Sequence, residues 1–270
     1  MRYTLLTVLS AGLLLPSSAA ALFQQEGGQS QEDLAKVTQN PVGDLISLPF
    51  QNNTNFDVGP AGAAQNILNI QPVWPLAVGD KWNLITRTIV PVISQPALFE
   101  GADRTFGIGD ITFTAFLSPK KPGKLIWGVG PVVLLPTSTN DALGAGEWGL
   151  GPSIVLLTMR GSWVLGSLFS NVWSLGASEG QGISLFTWQP FINYNMANGW
   201  YLTSAPILTA NWKAESGDKW TVPLGAGAGK IFRIGAQPMN GQVALYRNVG
   251  RPEGGASWQL RVQLQLLFPK

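Results

Sequence analysis

The chain has 270 residues, of which 45% are apolar and only 12% charged, against about 25% charged in an ordinary soluble domain. With 17 Lys plus Arg facing 15 Asp plus Glu, no broad basic field exists, so a nucleic-acid partner is excluded, as is a disordered acidic or basic protein. The sequence contains no Cys and no His. This removes disulfide frameworks, zinc sites built on imidazole or thiolate, axial haem histidines and the Ser-His-Asp and Cys-His hydrolases, and neither a metal nor a cofactor is expected.

Residues 1–21 read as a cleaved export signal. Arg2 supplies the positive charge, Leu5 to Leu15 is apolar but shorter than the ~18 residues of a spanning helix, and Ala19-Ala20-Ala21 fits the small-residue cleavage rule. Residues 22–44 form a segment that either enters the barrel lumen or hangs in the periplasm as a tail. Within it, Ser30 at an N-cap position with Asp33 three residues later predicts one or two helical turns ending before Pro41.

From Leu45 onward every hydrophobic run is interrupted by Gly, Pro, Asn or Gln well before spanning-helix length. What recurs is a segment with period-two alternation, closed by turn residues. Such segments lie near 45–57, 64–76, 80–93, 106–118, 123–136, 147–159, 162–175, 184–196, 199–212, 219–232, 236–249 and 256–269. Those between 123 and 175 alternate poorly, so ten or fourteen strands also fit. The last segment is the clearest, with Trp258, Leu260, Val262, Leu264, Leu266 and Phe268 on one face and Gln259, Arg261, Gln263 and Gln265 on the other.

Alternation alone does not say which face is inside. A solvated strand face is usually rich in Lys and Glu, whereas these polar faces carry Gln, Asn, Thr, Ser and Gly, as suits an enclosed lumen. Connections alternate between short turns and longer loops, which is the outer-membrane pattern. Trp82, Trp127, Trp163 and Trp200 follow short turns, while Trp148, Trp212, Trp220 and Trp258 flank long loops. The eight predict an aromatic girdle at each membrane interface, although any one alone reads more readily as core packing. The fold expected over 45–270 is therefore all-β: a transmembrane antiparallel up-and-down β-barrel of about twelve strands, with short periplasmic turns, longer extracellular loops and both termini on the periplasmic side.

Strand parity places Arg87, Asp110 and Arg261 on the lumen side with Gln71, Asn83, Gln189, Asn193, Gln263 and Gln265. One reading is a selectivity lining of mild cationic bias. The other is a filled polar core in which an arginine pairs with Asp110. Thr221, Pro223, Gly225, Gly227 and Gly229 share one face, leaving room either for a solute or for a close backbone approach. Asp103, Asp141, Glu147, Glu179, Glu215, Asp218 and Glu253 lie in or beside the long loops without calcium-loop spacing, and read as solvated charge.

Several runs look familiar as residues. They are Asn40-Pro41-Val42-Gly43-Asp44-Leu45-Ile46-Ser47-Leu48-Pro49-Phe50-Gln51-Asn52-Asn53, Trp82 to Thr88, Gly123 to Pro131, Gln189-Pro190-Phe191 to Pro206, and Gly217 to Pro223. Together they resemble a family of exported bacterial barrels labelled after the MetA pathway of phenol degradation, whose members are often called transporters and sometimes, mistakenly, neuromedin U. The resemblance implies an outer-membrane location in a Gram-negative bacterium and a role in moving small organic compounds. The final strand also looks like the signal recognised by the barrel-insertion machinery, with Phe268 followed by Pro269 and Lys270 in place of a terminal aromatic.

The function expected is a passive channel or transporter for small organic molecules of aromatic or apolar character, acting as a monomer in outer-membrane lipid and not as an enzyme. The alternatives are a barrel enzyme without His-based catalysis and a secreted soluble β-sandwich that binds a ligand.

Overall fold

A computed structural model describes residues 30–176 and 182–269. The export signal read at 1–21, and Glu179, lie outside the described residues. Helix α1 (Gln31–Thr38) comes first. Twelve strands follow among the described residues: β1 (Ile46–Val58), β2 (Ala63–Ile70 with Val73–Val78), β3 (Trp82–Gln95), β4 (Thr105–Ile108 with Ile111–Pro119), β5 (Ile126–Leu135), β6 (Gly149–Arg160), β7 (Trp163–Ser174), β8 (Ser184–Asn195), β9 (Trp200–Ser204 with Leu208–Asn211), β10 (Trp220–Ile234), β11 (Gln237–Gly250) and β12 (Trp258–Phe268). Each pairs antiparallel with its sequence neighbours.

The first and last strands close the sheet in an unbroken register, from Ile46 opposite Phe268 to Phe56 opposite Trp258. A sheet closed on itself has no free edge, so every ladder group finds a partner within the wall, as hydrocarbon surroundings require. This excludes the soluble sandwich, which needs a second sheet against the apolar face. Val262 and Leu264 are instead 44% and 41% exposed on the outside, while Arg261 and Gln265 of the same strand are buried within. The structure is the twelve-stranded transmembrane barrel that the alternation predicts.

Three strands are interrupted, and each interruption has a local cause. β2 breaks at Gln71-Pro72, where proline removes a ladder donor. β4 breaks at Gly109-Asp110, which shifts the parity by one residue so that Phe106 and Ile108 before it and Ile111 and Phe113 after it all face outward. β9 breaks at residues 205–207 around Pro206. Short turns at one end and longer loops at the other hold throughout, except that β1 and β2 are joined at the loop end by only residues 59–62.

Chain parity puts the tryptophans outward, and this includes Trp74, Trp173 and Trp188, which the girdle reading did not count. At the short-turn end Trp82 meets Trp127 edge-on at 5.9 Å, Trp163 lies 4.7 Å from Tyr194, and the Lys230 ammonium sits 4.8 Å over Trp200. At the loop end Trp212 and Trp220 meet edge-on at 5.5 Å, Trp148 is exposed, and the Arg247 guanidinium lies 5.2 Å over Trp258. Cations stacked on outward indoles suit the boundary where the hydrocarbon gives way to headgroups.

Because Val262 sits mid-strand on the apolar face, Val262→Arg is expected to cost about 2–4 kcal/mol of barrel stability. Urea titration of the protein in lipid vesicles, read by heat-modifiable gel mobility, measures it. A midpoint equal to that of Val262→Ile would place this face away from lipid.

Candidate functional site: the lumen

The short-turn end of the barrel is filled by the chain's own N-terminal segment. Glu32 and Asp33 in the first turn of α1 and Lys36 in its last complement the helix dipole, but an eight-residue helix is marginal in isolation. Its docking supplies the rest. Leu34 and Ala35 are buried together with Leu45, Ile231 and Leu267 from β10, β12 and the lead into β1. Burying a leucine in this way contributes about 1.5–3 kcal/mol. Gln39 and Asn195 exchange amide hydrogen bonds of 2.9 and 3.1 Å. Gly199, in the β8–β9 turn at φ +74°, leaves its Cβ position to the start of the helix, since a Cβ there would stand 3.2 Å from the Cβ of Gln31. Of the segment read at 22–44, the described residues from Gln31 on therefore lie inside the barrel as a plug.

Above α1 the chain turns on Asn40, whose side chain accepts from the Val42 amide at 3.0 Å. Val42 then packs into an apolar cluster of inward residues, with Ile85, Phe116, Val155, Leu157, Val164, Leu168 and Phe191. Over this plug lies a cavity of about 180 Å³. Its floor is residues 37–41 with Gly43 and Leu45, and its walls include Gln51, Gln71, Arg87, Gln189, Asn193, Gln242, Gln263 and Gln265, with Val73, Leu168 and Phe191 among the apolar share.

Of the lumen residues read from the sequence, Gln71, Arg87, Gln189, Asn193, Gln263 and Gln265 thus border one cavity. Asn83 is buried on the inward face of β3, two inward positions nearer the short-turn end than Arg87. Arg87 donates from Nη2 to the Gln71 side-chain oxygen.

Arg261 stands apart from this group. Its Nε donates to Asn53 at 3.1 Å, its Nη2 to Gln259 at 3.1 Å, and its Nη1 to the Ala205 carbonyl at 2.8 Å, with the guanidinium 4.8 Å from the Tyr246 ring. Ala205 lies in the break of β9, and its amide donates to the Tyr246 hydroxyl at 3.3 Å. Backbone groups that the ladder leaves open at this depth would cost several kcal/mol unpaired. Inward side chains from β11 and β12 reach across to take them, so Arg261 is a structural tie.

Asp110 corrects the parity reading. It occupies the β4 break, and its carboxylate accepts from the backbone amides of Thr137, Ser138, Ala145 and Gly146 at 3.1, 3.0, 2.6 and 3.2 Å. It anchors the β5–β6 loop and does not line the cavity. The arginine–Asp110 pair fails for the same reason, because every hydrogen-bond partner of Arg87 and Arg261 described above is neutral.

The bare glycine face of β10 is a close approach and not open space. A Cβ on Gly229 would strike the Tyr201 ring at 2.2 Å, and one on Gly227 would stand 2.1 Å from the Val243 carbonyl. Tyr201 covers Gly229 and donates to Asn240 at 2.8 Å.

Sequence reading missed Gln51, Asn53, Asn55, Tyr201, Asn240, Gln242 and Tyr246. The signal was available in β1, where Ser47, Pro49, Gln51, Asn53 and Asn55 alternate inward. Amides also link across four strands, from Gln259 to Asn55 at 2.9 Å, Asn55 to Gln65 at 2.7 Å, and Gln65 to Gln95 at 2.5 Å.

Known proteins bear on this architecture. The chain resembles the solved COG4313 outer membrane channel from Pseudomonas putida F1 at 16% identity and a TM-score of 0.64, with 85% of this chain and 97% of that one covered. It is more distantly similar to a Pseudomonas aeruginosa FadL homologue, at 10% identity and a TM-score of 0.44 over 85% and 92% of the two chains. The dimeric Salmonella typhi outer membrane phospholipase with bound calcium lies at 14% identity and 0.42 over 89% and 98%. Of these three, the first speaks to the fold, and the other two are too loose to build on. No curated protein matches the sequence. Residues 49–174, from within β1 to the end of β7, match the family described as "Putative MetA-pathway of phenol degradation". The runs at 189–206 and 217–223 lie beyond that match. The family read from the sequence is thus the one that residues 49–174 match, on a chain folded as a twelve-stranded transmembrane barrel.

Proposed function

We propose that this protein is a passive outer-membrane channel for small organic molecules, and not an enzyme. The observation that carries the reading is the cavity itself, enclosed by a membrane barrel, lined with amides and one guanidinium, and floored by a plug made from residues 31–45. Amides offer transient hydrogen bonds to a passing solute, which suits conduction. Acyl transfer needs a nucleophile beside a base. The sequence has no His to serve as that base, and the carboxylate of Asp110 is taken by four amides. In this reading the leader at 1–21 directs export in a Gram-negative cell, the insertion machinery recognises β12, the short-turn end faces the periplasm, and a single barrel conducts.

The test is solute uptake by liposomes carrying the purified, folded protein, screened over sugars, phenols and fatty acids, with single-channel conductance recorded in parallel. Uptake of at least one class above protein-free liposomes is expected. Folded protein that neither conducts nor admits any of them would overturn the channel reading.

A further inference from the structure

We infer that the cavity above the plug is a binding site for a small carboxylate bearing an apolar body about one aromatic ring in size, held by Arg87. This deepens the channel reading and rests on it for the role of the cavity. A guanidinium withdrawn from water is retained at a cost that neutral neighbours offset only in part, and its planar fork matches a carboxylate in two parallel hydrogen bonds. In this structure the hydrogen-bond partner of Arg87 is the neutral amide of Gln71, and Arg87 borders the cavity directly.

The rest of the lining fits the two ends of such a molecule. Gln71, Gln189, Asn193 and Gln263 bring amide donors that would complete an anion's shell. Leu168 on β7 and Phe191 on β8 stand on the wall across from Arg87 on β3, four and five strands round in a ring of twelve. They also belong to the apolar cluster that includes Ile85, the next inward residue below Arg87. An anionic head would meet the arginine while its body lies against Leu168 and Phe191. Size agrees, because the cavity holds about 180 Å³ and an apolar cavity of about 150 Å³ accepts benzene.

The experiment is calorimetric titration of the folded full-length protein in detergent with benzoate and with its neutral isostere benzamide. Each is compared across wild type, Arg87→Lys and Arg87→Gln, with heat-modifiable gel mobility confirming the barrel. Wild type is expected to prefer benzoate by about tenfold or more, with Arg87→Lys keeping part of that preference and Arg87→Gln abolishing it. Equal affinity of wild type for the two probes overturns the inference even if Arg87→Gln fails to fold, and so does a preference that survives in folded Arg87→Gln. Liposome flux of glycerol by the same wild-type preparation separates the two proposals. Glycerol flux without benzoate preference leaves the channel and removes the anion site, whereas benzoate preference without flux of any solute leaves the site and removes the channel.

Discussion

Replacing Leu34 with aspartate should open the barrel. Leu34 is 2% exposed at the heart of the contact that docks α1 against Ile231 and Leu267. Its loss removes about 2 kcal/mol of burial, or roughly thirtyfold in the ratio of docked to undocked plug, before the cost of a buried carboxylate is counted. Since the wall of the barrel does not depend on α1, Leu34→Asp is expected to keep its heat-modifiable mobility. Its mean single-channel conductance should rise by about an order of magnitude, because a twelve-stranded barrel is wider than one that wall side chains fill. Deletion of residues 30–41 behind the intact leader should reproduce the effect. Folded variants with wild-type conductance would show that the limiting constriction lies elsewhere, the β5–β6 loop held by Asp110 being the next place to look.

The second large effect is on stability. Arg261→Ala leaves the Ala205 carbonyl and the Asn53 amide without their charged donor inside the membrane-spanning wall. Hydrogen bonds to a charged group contribute about 1.5–3 kcal/mol each, so a loss of about 3 kcal/mol or more is expected in urea unfolding followed by tryptophan fluorescence. Tyr246→Phe removes one neutral bond to the Ala205 amide and should cost about 1 kcal/mol. An Arg261→Ala protein as stable as wild type would free this arginine to act on solutes and restore the selectivity role that strand parity assigns to it.

The contrast between the two arginines shows what a sequence can and cannot reveal here. Both sit on polar faces of alternating strands, so parity alone treats them alike. Arg87 faces the cavity with one amide partner, whereas Arg261 is taken up by Asn53, Gln259 and the Ala205 carbonyl, the last left open by the break at Pro206 in β9, a strand distant in sequence. Asp110 presents the same difficulty. Parity counts it as a lining charge, but it sits in the Gly109-Asp110 break, where strand parity lapses, and the loop folded back onto it makes it a loop anchor. The glycine face of β10 reads as vacancy until Tyr201 is seen to occupy it.

The barrel class, the outward facing of eight of the tryptophans and the two kinds of connection follow from the amino-acid sequence by itself, whereas alternation narrows the strand count only to about twelve and the structure fixes it. A strand in a barrel wall has only two faces in two media, so period-two alternation and the near absence of charge record which face meets lipid. The plug, the cavity above it and the partners of each inward charge are decided only by the tertiary structure. They depend on which side chains from strands far apart in sequence reach the same point inside the barrel, and local periodicity carries no information about that.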